Sequence, residues 1–393
     1  MKALTGARLI DCVQENVIEN AIIIIDDDTI HSCGAANNIN LSDEIDTIDF
    51  SEKTIIPGLI DAHTHICFEP AADTLNILVE ESDAKTALKA GKHCKQTLEA
   101  GFTTIRDVGG KNYIDLDVRN AINNGDIPGP RILSSGKSLT MTGGHGWPIG
   151  EEVDGISELK WGARKQIKNG VDLIKLMATG GVLTEGVEPG SPQLTVEEME
   201  AAIKEANKAD RKTAAHAQGN TGIKNAIKAG IDSIEHGVFL DQEAIEMMVE
   251  NDVYLVPTLT AIYWMAEKGV EAGIPDYAVR KSKTILKSHI ESFKQALKYG
   301  VKIAMGTDAG SPFNYHGENS LELVFMVKYG MTEMDAIKSA TIVAAELLGL
   351  VEEIGTVETG KKADLVVLDK NPLENIENIK SVHQVYKDGR AIL

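Results

Sequence analysis

The sequence predicts an α/β chain: a parallel (β/α)8 barrel of the TIM type, flanked by a small β-sandwich built from the N- and C-terminal segments. Three observations carry that expectation. Short apolar segments, eight of them, alternate with longer amphipathic stretches between residues 55 and 308. Histidines, a lysine and an aspartate recur in or at the ends of those apolar segments, and strand-like pieces lie outside the alternation at both termini. Eight strands alternating with helices close into a barrel of about 250 residues whose reactive groups sit at the C-terminal strand ends.

Residues 1–56 contain the run AIIIIDDDTIHSCG, in which Asp26-Asp27-Asp28 marks a turn after a β-branched stretch. Barrel strands follow at 55–61 (IIPGLID), 103–107 (TTIRD), 131–135 (RILSS), 172–178 (DLIKLMA), 212–217 (KTAAHA), 232–236 (DSIEH), 253–258 (VYLVPT) and 301–308 (VKIAMGTD). Among the intervening helices, 195–209 opens on Thr195 with Glu198 three residues on, the capping-box pattern. Segments 219–230, 241–251 and 276–299 repeat apolar and charged residues at helical spacing. In the tail, Lys387-Asp388-Gly389-Arg390 reads as a hairpin turn between Val-Tyr and Ala-Ile-Leu. Neither end alone can bury a two-faced sheet, so residues 1–56 and 352–393 are expected to pair into one β-sandwich, with 57–351 forming the barrel.

Composition narrows the function classes. Apolar residues make up 43% of the 393, enough for a sizeable core, and the formal net charge is −20. Nucleic acid and anionic membrane would be repelled by such a charge, which leaves a small-molecule substrate as the expected partner. Neither an apolar leader at the N-terminus nor an apolar run long enough to span a bilayer is present, so a cytoplasmic location is expected. The four cysteines, Cys12, Cys33, Cys67 and Cys94, lack Cys-x-x-Cys spacing and are expected to be reduced. Association into a homo-oligomer stays open.

The chemistry concentrates at strand ends. His63 and His65 are two residues apart after an Ile- and Leu-rich run, so on a strand both side chains point the same way. Taken alone, the pair reads equally as two hydrogen-bonded histidines or as two metal ligands. His216, His236 and Asp308 end three later apolar segments and favour the second reading. Lys175, inside DLIKLMA, would be a buried ammonium, which is unfavourable and worse still beside divalent cations.

His63-Thr64-His65 after Pro57-Gly58, Lys175 in LIKLMATGGV, His216 in AAHAQG, His236 in SIEHG, Asp308 in MGTDAG and the closing GKKADLVVLD together resemble the amidohydrolase superfamily. More narrowly, they are similar to its imidazolonepropionase-related, prolidase-like branch of Xaa-Pro dipeptidases and metallo-carboxypeptidases. That resemblance implies two divalent metal ions, with zinc favoured because imidazole and carboxylate suit it. It implies that Lys175 is carboxylated by carbon dioxide and bridges both ions as a carbamate, that His63, His65 and Asp308 hold one ion, and that His216 and His236 hold the other. The implied reaction is cleavage of a dipeptide or N-acyl amino acid amide by a metal-bridging hydroxide, with Asp308 as general acid/base. His145, in the glycine-rich loop after the third strand, and Tyr263, after the seventh, are expected by the same resemblance to hold the substrate carboxylate. His316 is a candidate for the mouth of the site or a supporting role, and His289 is read as an ordinary outer-helix residue.

Alternatives within the fold are a cyclic-amide (imidazolonepropionase-like), carbamate or urea hydrolase. A mononuclear deaminase fits less well: those enzymes resemble this chain at the histidines but carry a glutamate three positions after the strand-five histidine, where this chain has Gly219. A non-catalytic scaffold would be expected to have lost ligands, and all six positions are intact.

Overall fold

Seven parallel strands form staves of the barrel: β1 (Leu59–Thr64), β2 (Phe102–Asp107), β3 (Arg131–Ser134), β4 (Leu173–Met177), β5 (Lys212–Ala217), β6 (Ser233–His236) and β7 (Tyr254–Val256). They are taken from a computed structural model that describes residues 1–392. β1, β2 and β3 pair in that order, and so do β4 to β7. Between the two runs, the Asp172 amide donates to Ser134 O at 2.8 Å, and the short strand Ser138–Thr140 pairs with β4 through Leu139 and Leu176.

The eighth stave, 301–308, is not a regular strand, yet it closes the ring. Ala304 N donates to Leu255 O at 3.0 Å on the β7 side, while Ala62 N donates to Met305 O at 2.9 Å and Asp308 N to His63 O at 2.7 Å on the β1 side. At its Gly306 an added Cβ would lie 2.4 Å from Val256 Cγ1 and 2.8 Å from His63 Cβ. Three staves approach too closely there for a side chain.

The segment 55–61, expected as one strand, divides at Gly58. Thr54–Pro57 belongs to the flanking sheet, whereas β1 begins at Leu59 and runs on through His63. The division follows from packing, because a Cβ at Gly58 would sit 2.1 Å from Thr103 Oγ1.

Helices fall within a residue or two of their expected places, at Val196–Lys208, Asn220–Ala229, Gln242–Glu250 and Asp276–Lys298. Thr195 makes both halves of the capping box with Glu198, satisfying amides that the first turn leaves without partners. Their buried faces pack on the barrel through residues such as Met199, Ile203, Ile223, Ile245 and Phe293.

The termini meet as expected. Leu365–Leu368 pairs antiparallel with Thr54–Pro57, which in turn lies beside Lys2–Leu9, and the hydrogen-bonded sheet continues through eight strands in all. Leu4, Leu9, Ile23, Ile25, Ile55, Leu365, Val367 and Tyr386 form its core. The tail hairpin turns at Asp388 and Gly389, whose φ values of 46° and 72° suit the left-handed positions of a tight hairpin. No described helix is long and apolar enough to cross a membrane.

Candidate metal centre and active site

The alternation of β1 turns His63 into the barrel mouth, and His65 follows just beyond the strand end. His63 Nδ1 donates to Glu235 Oε2 at 2.7 Å, and His65 Nδ1 donates to Gly109 O at 2.8 Å. Both acceptors demand a ring N–H, so each imidazole is left with an Nε2 lone pair. Those two nitrogens face one oxygen, Asp308 Oδ1, at 3.7 and 3.4 Å. The donor atoms of His63, His65 and Asp308 lie within 4.8 Å of one another, close enough for one ion.

The second half of the site continues from this trio. His236 Nδ1 bonds Thr258 Oγ1 at 2.7 Å, and the His236 ring centroid lies 5.1 Å from that of His63 and 4.5 Å from that of His216. Lys175 projects from β4 into the same pocket, which all six expected donors line. Backbone conformation helps to aim the groups: His236, Thr258 and Asp308 have φ of 72°, 51° and 62°. Such left-handed positions are costly for residues with side chains and cluster at functional sites.

Burial sets the electrostatics. It draws the His63, His216 and His236 rings well below their ordinary range and His65 down to about 4, so all four are neutral and carry lone pairs. Burial likewise lowers Lys175 to about 8, and its ammonium makes no ion pair among the described residues. Asp308 is pushed up to about 8 by burial, against the opposing pull of Lys175. Four neutral imidazoles, three of them held through Nδ1, with one carboxylate and one weakly basic amine, are a donor set suited to divalent cations. A cation there would draw Asp308 back to the carboxylate form.

Several supporting residues escaped the sequence reading. Glu235, which orients His63, also accepts from Arg106 Nη2 at 2.8 Å and from Ser233 Oγ at 2.6 Å. Arg106 is buried in β2 and reaches Ala62 O as well, binding β1, β2 and β6 together under the site. A lone arginine in the apolar strand TTIRD was the available signal, since a buried guanidinium demands a carboxylate. Asp61 accepts from His63 N at 3.0 Å and from Thr307 N at 3.1 Å, tying the first stave to the eighth. His289, read as ordinary, is buried and bonds the His236 and Pro257 carbonyls at 3.1 and 2.7 Å.

His145 and Tyr263 part company. His145 lines the pocket, its ring centroid 4.2 Å from that of His216 and its Nδ1 bonded to Thr184 Oγ1 at 2.8 Å. Burial draws it down to about 3, so it is a neutral hydrogen-bonding ring. The Tyr263 ring packs on Phe325, centroids 4.6 Å apart, and is not among the residues lining the pocket. The helix Leu259–Lys268 turns Ile262 and Met265 to the pocket instead. His316 also lies outside it, stacked on His93 at 4.4 Å. The position that distinguishes deaminases has no room for a side chain, because a Cβ at Gly219 would meet Gly190 O at 2.0 Å.

A model of the amidohydrolase family matches residues 54–392. The chain belongs to the amidohydrolase family. Ochratoxinase from Aspergillus niger is 32% identical to it over 95% of this chain and 83% of its own length. A solved Xaa-Pro dipeptidase with methionine bound in its active site superposes with a TM-score of 0.93 at 37% identity, covering 99% of both chains. A prolidase solved with N-methylphosphonate-L-proline gives 0.93 at 30% identity, over 100% of this chain and 99% of that one. This amidohydrolase stands in the prolidase-like branch of its family and is a hydrolase of carbon–nitrogen amide bonds.

Proposed function

We propose that this amidohydrolase is a binuclear metal-dependent enzyme that cleaves the amide bond of a dipeptide or N-acyl amino acid. The observation that carries this reading is the convergence of His63, His65, Lys175, His216, His236 and Asp308 on one pocket at the C-terminal ends of the staves. His63, His65 and Asp308 would hold one cation and His216 and His236 the other, zinc being favoured. Lys175 would serve both as a carbamate. Its lowered pKa of about 8 supports that role, because the neutral amine is the form that adds carbon dioxide. Bound there, the cations would polarise the scissile carbonyl and make water acidic enough to ionise near neutral pH.

The chain's own groups supply the rest. Asp308 takes the proton of the attacking water on its carboxylate and delivers it to the departing nitrogen, so that the amine leaves neutral. His145, held through Nδ1 by Thr184, offers its Nε2 to a substrate carbonyl or carboxylate. The similarity to Xaa-Pro dipeptidase and to ochratoxinase favours an amino acid as the leaving amine.

Metal analysis joined to substrate screening tests the reading. About two cations per chain are expected, with free amino acid released from Xaa-Pro dipeptides or N-acyl amino acids. Lys175→Ala should lose both the metal pair and turnover, and full activity in that variant would sink the carbamate. Metal binding without turnover of any such amide would point to a lactam, carbamate or urea instead.

A further inference from the structure

The pocket contains one polar side chain that neither metal nor protein accounts for. Gln218 is buried at the end of β5, two residues after His216, and lines the pocket. Its Oε1 is buried without a hydrogen-bond partner. A buried carboxamide left in that state is costly unless a ligand completes it.

The walls around it are uniform in character. Apart from the six donor residues, His145 and Gln218, every side chain lining the pocket is apolar, among them Phe68, Leu75, Val182, Leu183, Ile262 and Met265. No acidic or basic group other than the donors lines it. The nearby cation of Lys281 is spent on the Thr184 and Val187 carbonyls. A charged substrate side chain would lose its water there and find no counter-charge.

We propose that Gln218 is a specificity-determining residue that takes a hydrogen bond from a substrate N–H, in a pocket that selects amides of uncharged, apolar amino acids. The proposal rests on the amide-hydrolase reading of the site but reads out separately from it. A carboxamide both donates and accepts, so Gln218 can engage the polar backbone of the substrate while the walls receive its side chain. Selection then follows from desolvation: leucine-like groups gain by burial, whereas carboxylates and guanidinium groups lose.

Calorimetric titration of the metal-loaded protein with free leucine, glutamate and arginine tests this directly. Leucine should bind at least tenfold more tightly than either charged amino acid. Comparable binding of all three, or binding of none, would overturn the proposal. Gln218→Leu, checked for an unchanged melting temperature, should weaken leucine at least fivefold and raise KM for leucyl amides with little change in kcat. Unaltered binding and KM would remove Gln218 from its role. Should that variant fail to fold, Leu183→Glu, at a partly exposed position, should improve arginine binding at least tenfold, and no improvement would count against the apolar wall. Leucine-selective binding without turnover of dipeptides or N-acyl amino acids would refute that substrate reading and leave this selectivity standing.

Discussion

At the scale of residues, the decisive unit is the pair that stands behind the candidate ligands. Glu235 receives His63 Nδ1 on one oxygen and Arg106 on the other, with all three side chains buried. Replacing it with glutamine leaves the shape but removes the charge that fixes the His63 tautomer and neutralises Arg106. Glu235→Gln is therefore expected to lower metal affinity by about 10–100-fold. It should also destabilise the fold by about 3–5 kcal/mol, the cost of an uncompensated buried charge. Chelator competition checks the first effect and thermal melting the second; an unchanged affinity would remove Glu235 from the metal site. That the six candidate donors would meet in one pocket was legible in the sequence, because strand alternation and strand-end placement are local properties. Glu235 with Arg106 was not, since their contact joins strands 129 residues apart and only closure of the barrel creates it.

Among elements, caps were readable and phases were not. The Thr195 box depends on four consecutive residues, and the structure reproduces it in full. Thr195→Ala should therefore cost about 1 kcal/mol, seen as a lower urea midpoint with an unchanged slope. An equal loss in a variant that already carries Glu198→Ala would show that the box does not act as a unit. The helix after β7 illustrates the other side. Which of its residues face the pocket depends on where it starts, and a start at Leu259 brings Ile262 and Met265, three apart, onto the pocket face. The eighth stave was located correctly, yet the crowding at its Gly306 was invisible, because it comes from Val256 and His63 on neighbouring staves.

For the molecule as a whole, the pairing of the two termini was readable from the inability of either to bury a sheet alone, and the balance of buried charge was not. Eight buried or nearly buried histidines are held below their ordinary range by desolvation: His63, His65, His93, His145, His216, His236, His289 and His316. His289 and His65 fall to about 4 from an ordinary 6.5. Once unfolded, each ring binds its proton near pH 6.5, so between there and pH 4 the unfolded chain binds more protons and stability is lost as the pH is lowered. For His65 and His289 that difference is worth on the order of 3 kcal/mol each across the window. Buried carboxyls act in the opposite sense, because Asp61, Asp107, Asp115, Asp308 and Glu322 are pushed up and keep their protons longer when folded. Eight rings outnumber five carboxyls, so the metal-stripped protein should be most stable above pH 6.5 and lose stability steadily towards pH 4. Metal loading should blunt the loss, because a cation competes with protons for the four donor imidazoles and holds Asp308 ionised. Melting temperatures of stripped and loaded protein between pH 7.5 and 4.5 check both statements, and a stripped protein that grows more stable towards pH 5 would show that the carboxyls prevail.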